Sequence, residues 1–241
     1  MAAALPGDHV LRPMVDADAS HLPPDMDTSD TVLVDTGEAV EQPPGHFGCG
    51  SAGQERFQRF CLRIPVRRGS EAPARLRRLG VDPADVGTVV LTHLHSDHLG
   101  TLHEVTSARV VVGAGERDGV GAVPYRLPRA AVLEPSFADG PIGPFPLSSI
   151  LTSDAGRSGR PTPRHRPRHQ GVTITGSRSL MVAAGDAAFS HDQLRRRANS
   201  AVVHDWTANA ATQAALAAVF DAGGQVLLTH DAAVLQLNSG S

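Results

Sequence analysis

The densest concentration of chemistry-bearing side chains is the hexapeptide His93-Leu94-His95-Ser96-Asp97-His98. Three imidazoles and a carboxylate, with no thiolate among them, form a donor set for a divalent transition metal. Zn2+ suits it first, and Fe2+, Mn2+ or Co2+ are also accommodated. In an extended segment His93 and His95 point the same way and can hold one ion together. A tight turn then lets Asp97 and His98 face a second ion a few Å away. Two ions roughly 3.5–4 Å apart lower the pKa of a shared water and polarise an electrophilic oxygen, which suits hydrolysis of esters, lactones, amides or phosphates. No nucleophilic Ser or Cys is needed. Cys49, between two glycines, lacks the strand–turn–helix setting of a nucleophile elbow.

Elements that position such residues are legible around them. Four apolar runs each end in a polar or metal-binding group: Val32-Leu33-Val34 before Asp35, Val89–Thr92 before His93, Met181–Gly185 before Asp186, and Val226–Thr229 before His230. Buried strands that finish this way deliver side chains to one rim of a sheet, where loops assemble a site. Strands are expected at Thr31–Val34, Val86–Thr92, Arg109–Val112 and Gln225–Thr229. A hairpin is expected from Val172–Thr175 and Leu180–Ala184 around Gly176-Ser177. Helices are expected at Glu71–Leu79, with Pro73 in its first turn and Gly80 as its stop, and at Ala208–Ala222, stopped by Gly223-Gly224. Thr101–Ser107 reads as a helical turn. The stretch 37–53 reads as a Gly/Pro-rich loop, and 113–167 is a long Pro/Gly-rich region. This alternation is an α/β pattern. Residues 1–30 form an irregular N-terminal segment in which only Val10–Val15 can make a strand, and 31–241 read as a single domain.

Composition narrows the function classes. The chain has 241 residues, 41% hydrophobic and 20% charged, with a formal net charge of −3, which argues against a globally basic nucleic-acid binder. Its basic residues are all arginine, excluding a Schiff-base or P-loop lysine. Aromatic content of 4% offers no base-stacking platform. Two cysteines, Cys49 and Cys61, make no disulfide framework and read as reduced thiols. No run is long enough to span a bilayer, and the start has no secretory pattern, so a cytoplasmic protein acting on a small molecule is expected.

His93–His98, followed by Leu99-Gly100, resembles the metal loop of the metallo-β-lactamase fold superfamily of hydrolases. Other segments match that family's pattern in order. They are Val34-Asp35-Thr36-Gly37, Thr162–Gln170 with its two histidines, Gly185-Asp186, and His230-Asp231. The spacing is most similar to the N-acyl-homoserine-lactonase group. The resemblance runs from Thr31 to Asp231 and implies an α/β four-layer αββα sandwich. It further implies that His93, His95 and His165 hold one ion, that Asp97, His98 and His230 hold another, and that Asp186 bridges them. The resemblance also implies that Asp97 and Asp186 take part in catalysis and that Asp35 supports the metal loop.

Three features depart from the family pattern. Arg164 and Arg168 stand where glycine is usual, which alters the turn at the third ligand. With Arg166 they either serve an anionic substrate group or point into solvent. Phe189 stands where such lactonases carry a tyrosine that assists at the substrate carbonyl. The third departure is the short, Pro-rich stretch before Thr31. His169 reads as support for the metal site or as pocket wall. His46 and Phe47 lie in a loop that borders the pocket in the family. His9, His21, His46, His103, His191 and His204 sit in polar contexts expected at the surface, and Trp206 is expected to pack. The reading is a dinuclear hydrolase of a small lactone or ester. The alternatives are a phosphodiesterase or other hydrolase of the same superfamily, and a non-catalytic metal-binding protein with the fold.

Overall fold

The computed structural model describes residues 31–42, 45–48, 51–61, 66–119, 122–123, 127, 132–152, 155–163, 166–175, 179–199 and 203–231. The expected strand Val10–Val15 and the turn Gly176-Ser177 lie outside them, as do Cys49, Arg164, His165, His9 and His21. The chain forms two compact units: one from residues up to Val110 with Arg117–Val132, the other from Val111–Glu116 with Leu133 onward.

In the first unit the apolar run Val32–Val34 makes strand β1, and Thr88–Val90 makes β2. They pair in parallel, Leu33 opposite Val89, so their C-terminal ends share one rim. The four-stranded order β1-β2-β3-β4 is completed by β3 (Arg109–Val111) and β4 (Val132–Leu133). Leu33, Val89, Val90 and Leu91 are fully buried, as their continuous apolar runs lead one to expect. Helix α1 (Ala52–Cys61) has Glu55 as its buried residue. Helix α2 (Ala72–Arg78) starts with Pro73 in its first turn and buries Leu76. It stops as expected at Gly80, whose φ of +78° suits a residue without Cβ. One turn of helix, α3 (Ser96–Leu99), follows β2 and carries the second half of the hexapeptide. The turn expected near Thr101–Ser107 is a short 3-10 segment, Leu102–Glu104.

In the second unit five strands run in the order β5-β6-β7-β8-β9. These are β5 (Ser149–Ile150), β6 (Arg157–Pro161), β7 (Gln170–Thr175), β8 (Leu180–Gly185) and β9 (Gln225–Leu228). β7 and β8 are antiparallel, and β8 and β9 are parallel. Helices α4 (His191–Arg195) and α5 (Trp206–Asp221) belong to this unit. Asp205 caps α5 by accepting from the Thr207 and Ala208 amides at 2.8 and 3.0 Å. Val182, Ala184, Val226 and Leu228 of the sheet form one buried cluster with Leu194 of α4 and Leu216 and Val219 of α5. Trp206, expected to pack, is 57% exposed, because at the first position of α5 it lies outside that cluster. Ordered elements enter both Gly/Pro-rich stretches: α1 begins at Ala52 inside the loop expected at 37–53, and β4, β5 and β6 run through 113–167. Among the described residues no helix is long and apolar enough to cross a membrane.

Candidate metal centre

The hexapeptide hangs from the rim where β1 and β2 end. Asp35 follows β1 directly, in a left-handed conformation with φ +55°, and its amide donates to Val90 O at 2.9 Å. That turn aims its carboxylate at the next strand end. Asp35 Oδ1 accepts from the Thr92 amide at 2.7 Å, and Oδ2 accepts from Thr92 Oγ1 at 2.9 Å and from His98 Nδ1 at 2.8 Å. A non-glycine residue at positive φ is uncommon and persists where surrounding bonds hold it, as three do here.

These bonds decide which ring atoms carry protons. A carboxylate only accepts, so His98 donates from Nδ1 and Nε2 is the atom that can coordinate. The single Thr92 hydroxyl proton is given to Asp35. Thr92 Oγ1 therefore accepts from His93 Nδ1 at 3.1 Å, which again makes Nε2 the coordinating atom. His93 Nε2 lies 2.9 Å from His95 Nδ1, and His98 Nε2 lies 3.7 Å from Asp97 Oδ2. Two ligands of one tetrahedral zinc are about 3.3 Å apart when each bond is near 2.05 Å. The observed spacings bracket that value, so the nitrogen and oxygen donors of this loop fit a divalent ion in both type and separation. His93 and His98 are fully buried, with ring centroids 4.0 Å apart, while His95 and Asp97 are partly exposed.

The family's Leu-Gly after the motif has a local explanation. Gly100 donates to Gly37 O at 2.7 Å, and a Cβ on it would meet Ala39 N at 2.4 Å. The Thr36 amide donates to His98 O at 2.8 Å, and Thr101 Oγ1 donates to Thr36 O at 2.7 Å. Only a glycine lets α3 dock this closely on the turn after β1.

His46 is wholly buried, which corrects its surface assignment. Its Nε2 meets Glu38 Oε2 at 2.8 Å, and Glu38 Oε1 accepts from the Ala39 amide. Phe47 is buried against the edge of His46, and its amide donates to Glu55. Both residues therefore anchor the loop after Asp35 from within.

In the second unit, Asp186 follows β8 directly and His230 follows β9 after one residue. The parallel pairing of those strands brings both to one rim, with His230 Nε2 3.2 Å from Asp186 Oδ1. Buried His169 accepts from the Asp186 amide at Nε2 (3.2 Å), so its Nδ1 donates to Thr162 Oγ1 (2.8 Å). It thereby ties the backbone of Asp186 to the start of the segment containing His165. Arg164 and His165 themselves lie outside the described residues. Phe189 is 42% exposed, with its ring 5.6 Å from that of His230.

The arginine run divides. Arg168 is exposed, whereas Arg166 is buried and paired through Nε with buried Glu116, its Nη2 donating to Glu116 O at 3.0 Å. Neither solvent nor an anionic substrate is the partner of Arg166. His191 is also corrected: it is partly buried, with Nδ1 2.6 Å from Asp231 Oδ2 and Nε2 2.8 Å from Val226 O. Its amide donates to the same Asp231 carboxylate, clasping α4 to the residue after His230. Sequence reasoning missed this clasp, whose only sequence trace is the acid after His230. His103 and His204 are exposed, as expected, and Cys61 is a free, exposed thiol.

Residues 27–230 match the family described as "Metallo-beta-lactamase superfamily". A "Probable metallo-hydrolase" of Mycobacterium tuberculosis is 28% identical over 181 residues, which are 69% of this chain and 56% of that protein. The N-acyl homoserine lactonase AiiB of Agrobacterium fabrum is 37% identical over 100 residues, 41% of this chain and 33% of that enzyme. The chain thus spans about half the length of the first relative and a third of the second. Among solved structures, an N-acyl homoserine lactone hydrolase with N-hexanoyl-L-homoserine bound at its catalytic metal centre matches with a TM-score of 0.61. Identity is 19%, and the match covers 88% of this chain and 80% of that one. The dizinc lactonase AidC matches with a TM-score of 0.54 at 14% identity, over 84% and 69% of the two chains. These likenesses are of fold, and they agree with the α/β class expected from the sequence.

Proposed function

The chain belongs to the metallo-beta-lactamase superfamily, and on that premise we propose that it is a dinuclear metal-dependent hydrolase that opens a small lactone or ester. One observation carries this reading. Asp35 and Thr92 accept hydrogen bonds from Nδ1–H of His98 and His93, which leaves both Nε2 atoms in coordinating form. In the proposed centre His93, His95 and His165 would hold one ion and Asp97, His98 and His230 another, with Asp186 as a further ligand. When bound, a pair of divalent ions, Zn2+ first, supplies Lewis acidity and ionises water near neutral pH.

The chain's own groups do the rest. Asp97, at the exposed edge of the hexapeptide, accepts a hydrogen bond from the attacking water and orients it toward the substrate carbonyl carbon. Asp35, Thr92 and His169 keep the ligands in one geometry, so little reorganisation accompanies the reaction. Phe189, lacking a hydroxyl, lends apolar surface to the substrate and no hydrogen bond to its carbonyl. The pairing of Arg166 with Glu116 removes one of the arginines a phosphodiester reading would use, which favours the carbonyl substrate.

The test uses the full chain, purified after zinc or manganese supplementation. Two ions per chain, and hydrolysis of γ-lactones or aryl esters that His95→Ala abolishes, are the expected results. An absence of bound metal would overturn the enzyme reading. Preferential turnover of bis-p-nitrophenyl phosphate would overturn the substrate class.

A further inference from the structure

Away from the metal-binding rim, β6 carries a charge that its surroundings do not balance. Arg160 is 0% exposed and is the largest fully buried side chain among the described residues. Its Nη2 donates to Ser158 O at 3.2 Å, and its guanidinium lies 4.4 Å from the centre of the Phe145 ring. Among the described residues Nε and Nη1 find no hydrogen-bond partner, and no carboxylate pairs with the guanidinium. Burial pulls its pKa down from the ordinary guanidinium range to about 9, so at neutral pH the group still carries its charge. An unpaired buried charge is strongly unfavourable, and buried charges in proteins are paired or bound to an ion.

The neighbours on the same sheet face are donors too. Side chains alternate along a strand, so Ser158 and Arg160 share a face of β6. Thr173, the cross-strand partner of Ser158, points to that face as well. Val182 and Val226 continue it into the apolar cluster under α5. Ser158 Oγ and Thr173 Oγ1 are buried and likewise without a partner among the described residues. One face therefore gathers a guanidinium with unused N–H groups and two unused hydroxyls beside an apolar wall. Each hydroxyl donates as readily as it accepts. A water there leaves the charge uncompensated, whereas an anion answers both the charge and the donors.

We propose that Arg160, Ser158 and Thr173 form a buried site for a small, weakly hydrated monoanion of the halide class, on the helix-facing side of the second sheet. Chloride fits this chemistry. A phosphate, more strongly hydrated, would need more donors than the face offers. The ion is a structural ligand that lets β6 keep a charged residue next to the apolar cluster.

The test compares the full wild-type chain with Arg160→Met at constant ionic strength, replacing sodium gluconate stepwise with sodium chloride. Wild-type Tm should climb by roughly 3–6 °C for each tenfold rise of chloride above its Kd, and Arg160→Met should not respond. In wild-type crystals soaked in bromide, an anomalous peak should appear within contact of Arg160 Nε. A wild-type Tm indifferent to chloride over gluconate would overturn the proposal. So would an equal response in Arg160→Met, or bromide-soaked crystals with no peak beside Arg160. Should Arg160→Met fail to fold, the two wild-type measurements decide the matter.

Discussion

Replacing Asp35 by asparagine separates its role as an acceptor from its role as a turn. Asparagine tolerates positive φ about as well as aspartate does, so the backbone at +55° is not newly strained. One oxygen remains for the Thr92 amide. In place of Oδ2 stands an NH2, which donates and cannot receive the protons of Thr92 Oγ1 and His98 Nδ1. Two hydrogen bonds to a charged group are lost, each worth roughly 1.5–3 kcal/mol. The desolvation cost of the buried charge is lost with them, so the net change should be near one such bond. For a chain of this size that is a Tm lower by roughly 3–12 °C. The more diagnostic effect is on His98. With no acceptor at Nδ1 the ring moves its proton to Nε2, and zinc affinity in a competitive chelator titration should fall about 10–100-fold. Nitrogen chemical shifts of His98 in the metal-free chain should report the tautomer change. A variant with lower Tm but unchanged zinc affinity and an unchanged His98 tautomer would refute the reasoning, reducing Asp35 to a turn residue.

Other expectations follow from the same geometry. Phe189→Tyr places a hydroxyl beside His230 and should raise kcat for a lactone by about 10-fold or more with little change in stability; unaltered turnover would show that position 189 does not reach the substrate. His191→Ala removes the ring's contacts with Asp231 and Val226 and should lower Tm and weaken metal retention several-fold, whereas His204→Ala, at an exposed site, should do neither. In chloride-free buffer, wild type should gain stability over Arg160→Met as pH rises above about 9. The folded-state pKa of Arg160, about 9, lies below its unfolded value, so above about 9 the unfolded chain binds more protons. Urea midpoints measured at pH 8 and pH 10 check the sign.

How far the fold could be read in advance depended on whether an element buries apolar residues. β1, β2, β8 and β9 are apolar runs, and their polar endings marked the rims where the structure puts Asp35, His93, Asp186 and His230. β6 reads Arg-Ser-Gly-Arg-Pro, with no strand-forming residue, and exists because β5 and β7 pair with it on both sides. α1 was missed because its buried side is a glutamate, while Phe57 and Phe60 face out. The hexapeptide was legible because its ligands are contiguous. The partners that fix other residues were not: Glu116 lies 50 positions from Arg166, and Asp231 lies 40 from His191. Such pairs carry no local spacing signal, so polar side chains expected at the surface turned out to be internal ties.

The turn at Asp35 also has a consequence for proton inventory. Metal uptake at histidine normally competes with protons, since the ligand atom must be bare. Here the ring protons of His93 and His98 are held on Nδ1, donated in hydrogen bonds to Thr92 and Asp35, when the chain folds and before any ion arrives. Over the pH range where both rings are neutral, loading these two ligands releases no proton and, with Nδ1 already the protonated atom, requires no tautomer shift. Calorimetric uptake measured in buffers of different ionisation enthalpy should differ only by what the remaining ligands and the bound water give up. The entropy of choosing a tautomer has already been spent in folding, and the centre meets its ion with those two rings set.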